Sequence, residues 1–328
     1  MSISRVYALA LAGLVALLPL IANAASPVRE MYGQPVVRVG IVLFDGVQII
    51  DFAAPYEVFG TAGFGVATVS ADGGAVTTAM GLKVTPDHSF ADAPAFDLLV
   101  VPGGEVQAAM RDEQLLAYLR RHDGGRRMLS VCTGAHIVAS AGLLDGRKAT
   151  TFHGALDGFE RTFPQVGLVR DQRWVDSGPV VTSAGLSSGI DASLYMVAQL
   201  HDERRARSVA LHLEYDWDPD GGFVRGRMAD RQAPRLAAVV WPEGTRFESL
   251  YSVGDASGWE ARFLVESTAS ADELLALIAA DIDGEGIWTR EDASHVWHRD
   301  IAGQRRQVTF GSAPMAEAGR FFLWYELR

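Results

Sequence analysis

Met128-Leu-Ser-Val-Cys-Thr-Gly-Ala-His136 is a short apolar run that breaks at Cys132 and passes at once into helix-forming sequence. A strand that ends in a nucleophile and turns sharply into a helix is an elbow. It lifts the reactive atom above the sheet on a strained turn, and small residues such as Gly134 and Ala135 let the helix pack close. The helix N-terminus favours thiolate over thiol through its unpaired N–H groups and its dipole, so a lowered Cys132 pKa is expected. A lone cysteine is otherwise most often a small buried hydrophobe, and the rest of the chain decides between the two readings.

Upstream, Val36 to Phe44 is a nearly continuous β-branched apolar run, as in a parallel strand covered on both faces. Pro55 is tolerated in a first helical turn, so a helix is expected from Pro55 to Ala62. That leaves Asp51 in a loop beyond the end of the strand, where open α/β sheets place ligands; a plain helix cap is the alternative. Gly65 to Ser70 reads as a second strand and Val76 to Val84 as a hairpin or polar excursion. Phe96 to Glu105 is a buried strand ending in Pro102-Gly103-Gly104. Consecutive glycines let backbone N–H groups point into a pocket, as in an oxyanion hole, although such a turn alone is a weak signal.

Asp112 to Arg121 forms an amphipathic helix, and Arg126 to Val131 is the strand that delivers Cys132. Helices follow over Thr133 to Ala141 and Leu156 to Thr162, a strand over Pro179 to Gly185, and one long helix from Gly189 to about Leu213. Strands alternating with helices predict an α/β fold with a doubly wound, mostly parallel sheet.

Composition narrows the function. Arg5, the apolar run Val6 to Ile21 and the tripeptide Ala22-Asn23-Ala24 read as a signal peptide over residues 1–24, which predicts a periplasmic protein without a stable membrane anchor. The formal charge is -11, and losing Arg5 makes it -12, so nucleic acid is not an expected partner. One cysteine cannot form an internal disulfide, and a lone thiol in an oxidising compartment is a liability unless it has a task. No histidine or cysteine cluster has zinc-site spacing, so neither metal nor cofactor is expected. His136 lies one turn after Cys132 and reads as a surface residue. His295 and His298 fall on opposite faces if their segment is a strand.

The motifs VGIVLFDGVQIIDFAAPYEVFG, LLVVPGG, SVCTGA, AGLLDGRKATT and VVTSAGLSSGID, in this order, resemble the ThiJ/PfpI family of the glutamine-amidotransferase-like superfamily. Within it they are most similar to isonitrile hydratases and to the amidase-like domains of certain transcription regulators. The resemblance runs over residues 36–215 and implies a flavodoxin-like fold. It matches Cys132 to the nucleophile, Asp51 to the acidic residue facing it, Thr133 to the residue after the nucleophile, and Gly103 and Gly104 to the oxyanion turn. Glu57, on the first helix, is expected to support the Asp51 loop. Where relatives read Thr-Thr-His-Trp, this chain reads Thr150-Thr151-Phe152-His153, so the histidine is displaced by one and its reach to the pocket is open.

Residues 216–234 read as a linker rich in Asp, Gly and Pro, and 235–328 as a small α+β accessory domain. Strands are expected at Leu236–Trp241, Glu248–Val253, Trp259–Val265, Val308–Phe310 and Phe321–Leu327. A helix is expected over Leu274–Ile282, opened by a Ser270/Glu273 capping box. The family resemblance implies an exported, cysteine-dependent hydratase or hydrolase acting on a small carbon–nitrogen substrate, with Asp51 shuttling the proton, and a homodimer. The alternatives are a glyoxalase or deglycase acting on reactive aldehydes, and a non-catalytic ligand or redox sensor.

Overall fold

The structure, a computed structural model, describes residues 37–328 apart from 123, 124, 221, 223, 224, 226, 227 and 293; the expected signal peptide lies outside them. The described chain divides into two compact units between Pro219 and Asp220.

The first unit contains, in order, β1 (Arg38–Val42), α1 (Ile49–Thr61), β2 (Gly65–Ser70), β3 (Val76–Thr77), β4 (Lys83–Val84), β5 (His88–Ser89), β6 (Leu98–Val101), α2 (Glu113–His122), β7 (Arg127–Val131), α3 (Gly134–Ser140), β8 (Lys148–Ala149), α4 (Leu156–Thr162), β9 (Gly167–Leu168), β10 (Trp174–Asp176), β11 (Val180–Ser183), α5 (Ser187–Leu200) and α6 (Glu203–His212). Seven strands form one sheet in the order β10-β11-β7-β6-β1-β2-β5, parallel except for the edge strand β10. Side chains alternate across it. Leu98 and Val100 pack with Phe52, Val58 and Phe59 of α1 and Ala192 of α5. Leu99 and Val101 pack on the other face with Leu115 of α2, Ile137 of α3 and Phe159 of α4. Burial on both faces is why these strands read as unbroken apolar runs. The chain leaves β1 toward β2 and re-enters on the opposite side at β6, so the strand order reverses between β1 and β6 and opens a crevice beyond their carboxyl ends.

Two helices differ from expectation. α1 starts at Ile49, so Pro55 lies inside it and Asp51 is in its first turn rather than in a loop. Proline removes the donor that the Asp51 carbonyl would otherwise receive, yet Phe52, Pro55, Val58 and Phe59 are all buried along one face, and that packing outweighs the missing bond. The single long helix is two, because α5 stops at Leu200 and Asp202 caps α6 by accepting the Arg205 N–H at 2.8 Å.

The second unit comprises β12 (Arg246–Gly254), β13 (Trp259–Glu266), α7 (Ala271–Glu285), β14 (Thr289–Arg290), β15 (Val296–Ile301), β16 (Gln304–Pro314) and β17 (Arg320–Leu327). The strands form one antiparallel sheet, ordered β12-β13-β17-β16-β15-β14. Leu274, Ile278 and Ile282 of α7 pack with Val265, Val308 and Phe321 of the sheet. The Ser270/Glu273 capping box is formed. Leu236 to Trp241, expected as a strand, is a loop in which Leu236 has φ 51°, a value incompatible with a strand. β14 was not expected, and β15 forms where the segment of His298 was left open as a strand; Trp297 supplies the burial, with its Nε1 donating to Asp283 at 2.7 Å. The segment read as a linker is partly anchored: Trp217 is buried in the core of the first unit and Ala229 in that of the second. No helix among the described residues is long and apolar enough to cross a membrane.

Candidate active site

Four loops at the carboxyl ends of β1, β6, β7 and β11 converge on Cys132. The cysteine sits between β7 and α3 with φ 59°, a left-handed conformation that costs a non-glycine residue roughly 1–3 kcal/mol. Neighbouring backbone imposes it. The Cys132 N–H is shared between the carbonyls of Ser183 (3.2 Å) and Ala184 (3.3 Å), and the Cys132 carbonyl accepts the Thr151 hydroxyl at 2.9 Å. Gly134 makes the tight exit possible: a Cβ there would stand 2.1 Å from the Val101 carbonyl oxygen.

Asp51 is fully buried. Its Oδ2 accepts the Gly103 N–H at 3.2 Å. Oδ1 has no hydrogen-bond partner. Burial is the main cause that pushes the Asp51 pKa up to about 6, against the hydrogen bonds that lower it. The thiol is pushed up to about 12, first by burial and then by the negative Asp51, with the Thr133 N–H opposing. This reverses the expected lowering. One N–H at the start of a seven-residue helix does not offset desolvation plus a facing carboxylate. At neutral pH the pair therefore holds one proton, mainly on sulfur.

The Pro-Gly-Gly turn has another task than the one expected. The Gly103 N–H is taken by Asp51, and the Gly104 N–H donates to the Thr133 hydroxyl at 2.9 Å, so neither glycine offers a free donor for an oxyanion. The turn instead locks the elbow to the α1 loop. The Gly103 carbonyl accepts the Gln48 N–H at 2.8 Å, and a Cβ on Gly103 would lie 2.6 Å from the Thr133 nitrogen. Thr133, the residue after Cys132, donates its hydroxyl to the Gly104 carbonyl at 3.1 Å.

Glu57 does not support the loop. It is exposed on α1, because the buried stripe of that helix runs through Asp51, Phe52, Pro55, Val58 and Phe59. His153 is exposed, its ring 4.3 Å from that of Phe152. Phe152 instead reaches the site: a Cβ on Gly185 would be 2.6 Å from Phe152 Cδ2 and 3.1 Å from Cys132 Sγ. His136 is not a surface residue, for its ring packs edge-on against Phe159 at 4.9 Å, and burial lowers its pKa. Gly185 was missed as a site residue; the only sign of it was the Gly/Ser turn after β11. Among the described residues, no group of three or more His, Cys, Asp or Glu side chains is placed to hold a metal ion.

Known proteins match this arrangement. The DJ-1/PfpI family model matches residues 37–199. The chain is 36% identical over 182 residues to an isonitrile hydratase of Pseudomonas putida, covering 54% of this chain and 78% of that protein. It is 31% identical over 156 residues to a deglycase of Pyrococcus horikoshii, covering 46% and 87% respectively. The crystal structure of a ThiJ/PfpI family protein from Pseudomonas syringae superposes with a TM-score of 0.50 at 30% identity, over 62% of this chain and 84% of that one. With the elbow cysteine, the buried facing acid and the reversed strand order already in place, these similarities make the chain a member of the DJ-1/PfpI family.

Proposed function

We propose that the first unit is a cysteine-dependent hydratase acting on a small carbon–nitrogen multiple bond, in the manner of an isonitrile hydratase. One observation carries the proposal: a buried thiol at the elbow faces a buried carboxylate in the first turn of α1, each shifting the other's proton affinity. For an isonitrile, the Cys132 sulfur bonds to the terminal carbon while the proton held by the pair moves to that carbon, giving a thioimidate. Asp51, now a carboxylate, takes a proton from water as the hydroxyl adds to the thioimidate carbon and passes that proton to the nitrogen. Collapse expels the sulfur, which regains a proton, and leaves an N-substituted formamide. The sum is substrate plus water. The buried Asp51 Oδ1, without a fully formed partner, is the oxygen available to that water.

Similarity to the deglycase supports aldehyde chemistry as a second reading; His153 is exposed, and Phe152 rather than a histidine lies beside Gly185 and the sulfur. The test is to incubate the protein with an alkyl isonitrile, a simple amide and methylglyoxal, and to follow products by NMR. Formamide from the isonitrile is expected. Consumption of methylglyoxal alone supports the deglycase, and oxidation of Cys132 with no turnover supports a sensor. The same proposal includes export to the periplasm, which Arg5, the apolar run after it and Ala22-Asn23-Ala24 support, and a homodimer by analogy with relatives.

Two expectations follow from the geometry. Below pH 6 Asp51 holds its own proton and cannot accept another, so kcat/KM should fall about tenfold per unit there and stay level from about 7 to 9. A profile that rises through pH 8 to 9, where an ordinary thiol titrates, contradicts the pairing. His153→Ala should keep kcat within about threefold, whereas loss of a positioned acid–base group costs about 10²–10⁴-fold.

A further inference from the structure

Phe152 is half-buried at the side of the elbow, and the chain fixes it from several directions. The two residues before it are buried and clamped: the Thr150 N–H donates to the Thr182 hydroxyl of β11 at 2.9 Å, and the Thr151 hydroxyl donates to the Cys132 carbonyl at 2.9 Å. After it, the Ala155 N–H donates to the Phe152 carbonyl at 2.8 Å. Two glycines then make room for the ring. A Cβ on Gly154 would lie 2.9 Å from Phe152 Cε1, and one on Gly185 would lie 2.6 Å from Cδ2. Neither glycine has a positive φ, so what each supplies is space rather than backbone freedom. The point that a Gly185 side chain would fill is also 3.1 Å from Cys132 Sγ, so the ring and the sulfur flank the same position.

A phenyl ring beside a nucleophile has no proton to give or take, so its part lies in what it touches. Carbon against carbon is favourable there, whereas a charged or strongly polar group would lose its water and find no partner in the ring. The bond that Cys132 forms brings the rest of the electrophile up to the sulfur, and so up to the ring. We propose that Phe152 is a specificity-determining residue: it is the apolar wall on which the substituent of the electrophile lies, and it selects neutral carbon–nitrogen compounds carrying an aryl or alkyl group over small polar or charged ones. The inference rests on Cys132 being the nucleophile of the proposed hydratase. It is also read by alkylation without turnover, because Cys132 is the only cysteine in the chain.

Iodoacetamide and N-benzyliodoacetamide react through the same thiolate and differ only in the group that would meet Phe152, so the ratio of their rates is independent of the ionisation of the thiol. Measured by intact mass and divided by the same ratio for free cysteine, the preference for the benzyl reagent should be about tenfold, the scale of one apolar group in a pocket. Phe152→Ala should reduce it to about twofold or less. Gly185→Ala, which puts a methyl group between ring and sulfur, should reduce it similarly with the ring still present. A general loss of stability changes both rates together and leaves the ratio. If Phe152→Ala does not fold, Phe152→Leu keeps part of the wall and should lower the preference to about half. With isonitriles, kcat/KM for benzyl isonitrile should exceed that for isocyanoacetate by about tenfold or more, and the Phe152 variant should narrow the gap. A preference no greater than that of free cysteine, or one that the folded Phe152 and Gly185 variants leave unmoved, overturns the proposal. No turnover of either isonitrile beside an intact tenfold alkylation preference instead overturns the hydratase and leaves the assignment of Phe152 standing.

Discussion

Cys132→Ala is expected to lower kcat/KM for an isonitrile by about a thousandfold or more, Asp51→Asn by a comparable factor, and the two together by little more than either. The thiol is the nucleophile and the acid is where its proton goes, so removing one leaves the other without a task. Both groups are buried and face each other, and Asp51 contributes a negative charge and a hydrogen bond to the state of the sulfur. Three rate measurements and the unaltered protein close the cycle. Losses that multiply would show two independent roles, and full activity in Asp51→Asn would remove the acid from the mechanism.

The same substitution should make the protein more stable at pH 7.5. Asp51 has its pKa raised from 3.8 to about 6 on folding, mainly by burial, so the folded state binds more protons than the unfolded state between these values. Stability therefore falls as pH rises through that window, and the whole cost is present above it. Two units correspond to about 3 kcal/mol. Asparagine keeps an oxygen for the Gly103 N–H and carries no charge to bury. Denaturant unfolding of Asp51→Asn should show a gain of about 2–3 kcal/mol at pH 7.5 that vanishes near pH 4. Equal stability of the two proteins at pH 7.5 would mean that the carboxylate is not desolvated. A gain in stability with a loss of rate is the usual mark of a strained catalytic group.

Much of this was legible before the fold was seen. The sheet could be read because β1, β6 and β7 are buried on both faces and the sequence records that as uninterrupted apolar residues. Cys132 stood out because it is the only thiol and ends such a run. Asp51 was read correctly as lying beyond β1 but assigned to a loop, since the local rule for Pro55 ignores the apolar face that keeps α1 intact around it. The direction of the thiol pKa was misjudged for a related reason. A helix terminus is visible in sequence, whereas desolvation and a facing carboxylate exist only once distant loops meet. Gly185 belongs to that second kind, as its place against the Cys132 sulfur is made by β11 lying beside β7. β14 gave no signal because an edge strand of two residues carries no period, and β15, with charged residues among its six, gave only an open one.

The two reacting side chains share a common datum. Gly103 holds Asp51 through its N–H, and its α-carbon lies so close to the elbow that a Cβ would stand 2.9 Å from that of Cys132. The acid stands on α1 and the thiol at the elbow between β7 and α3, and if each were located separately the positional errors of the two would add. Both are referred instead to one residue at the end of β6, in the middle of the sheet. A displacement of that strand carries the acid and the thiol together, so their separation has a tighter tolerance than the position of either helix.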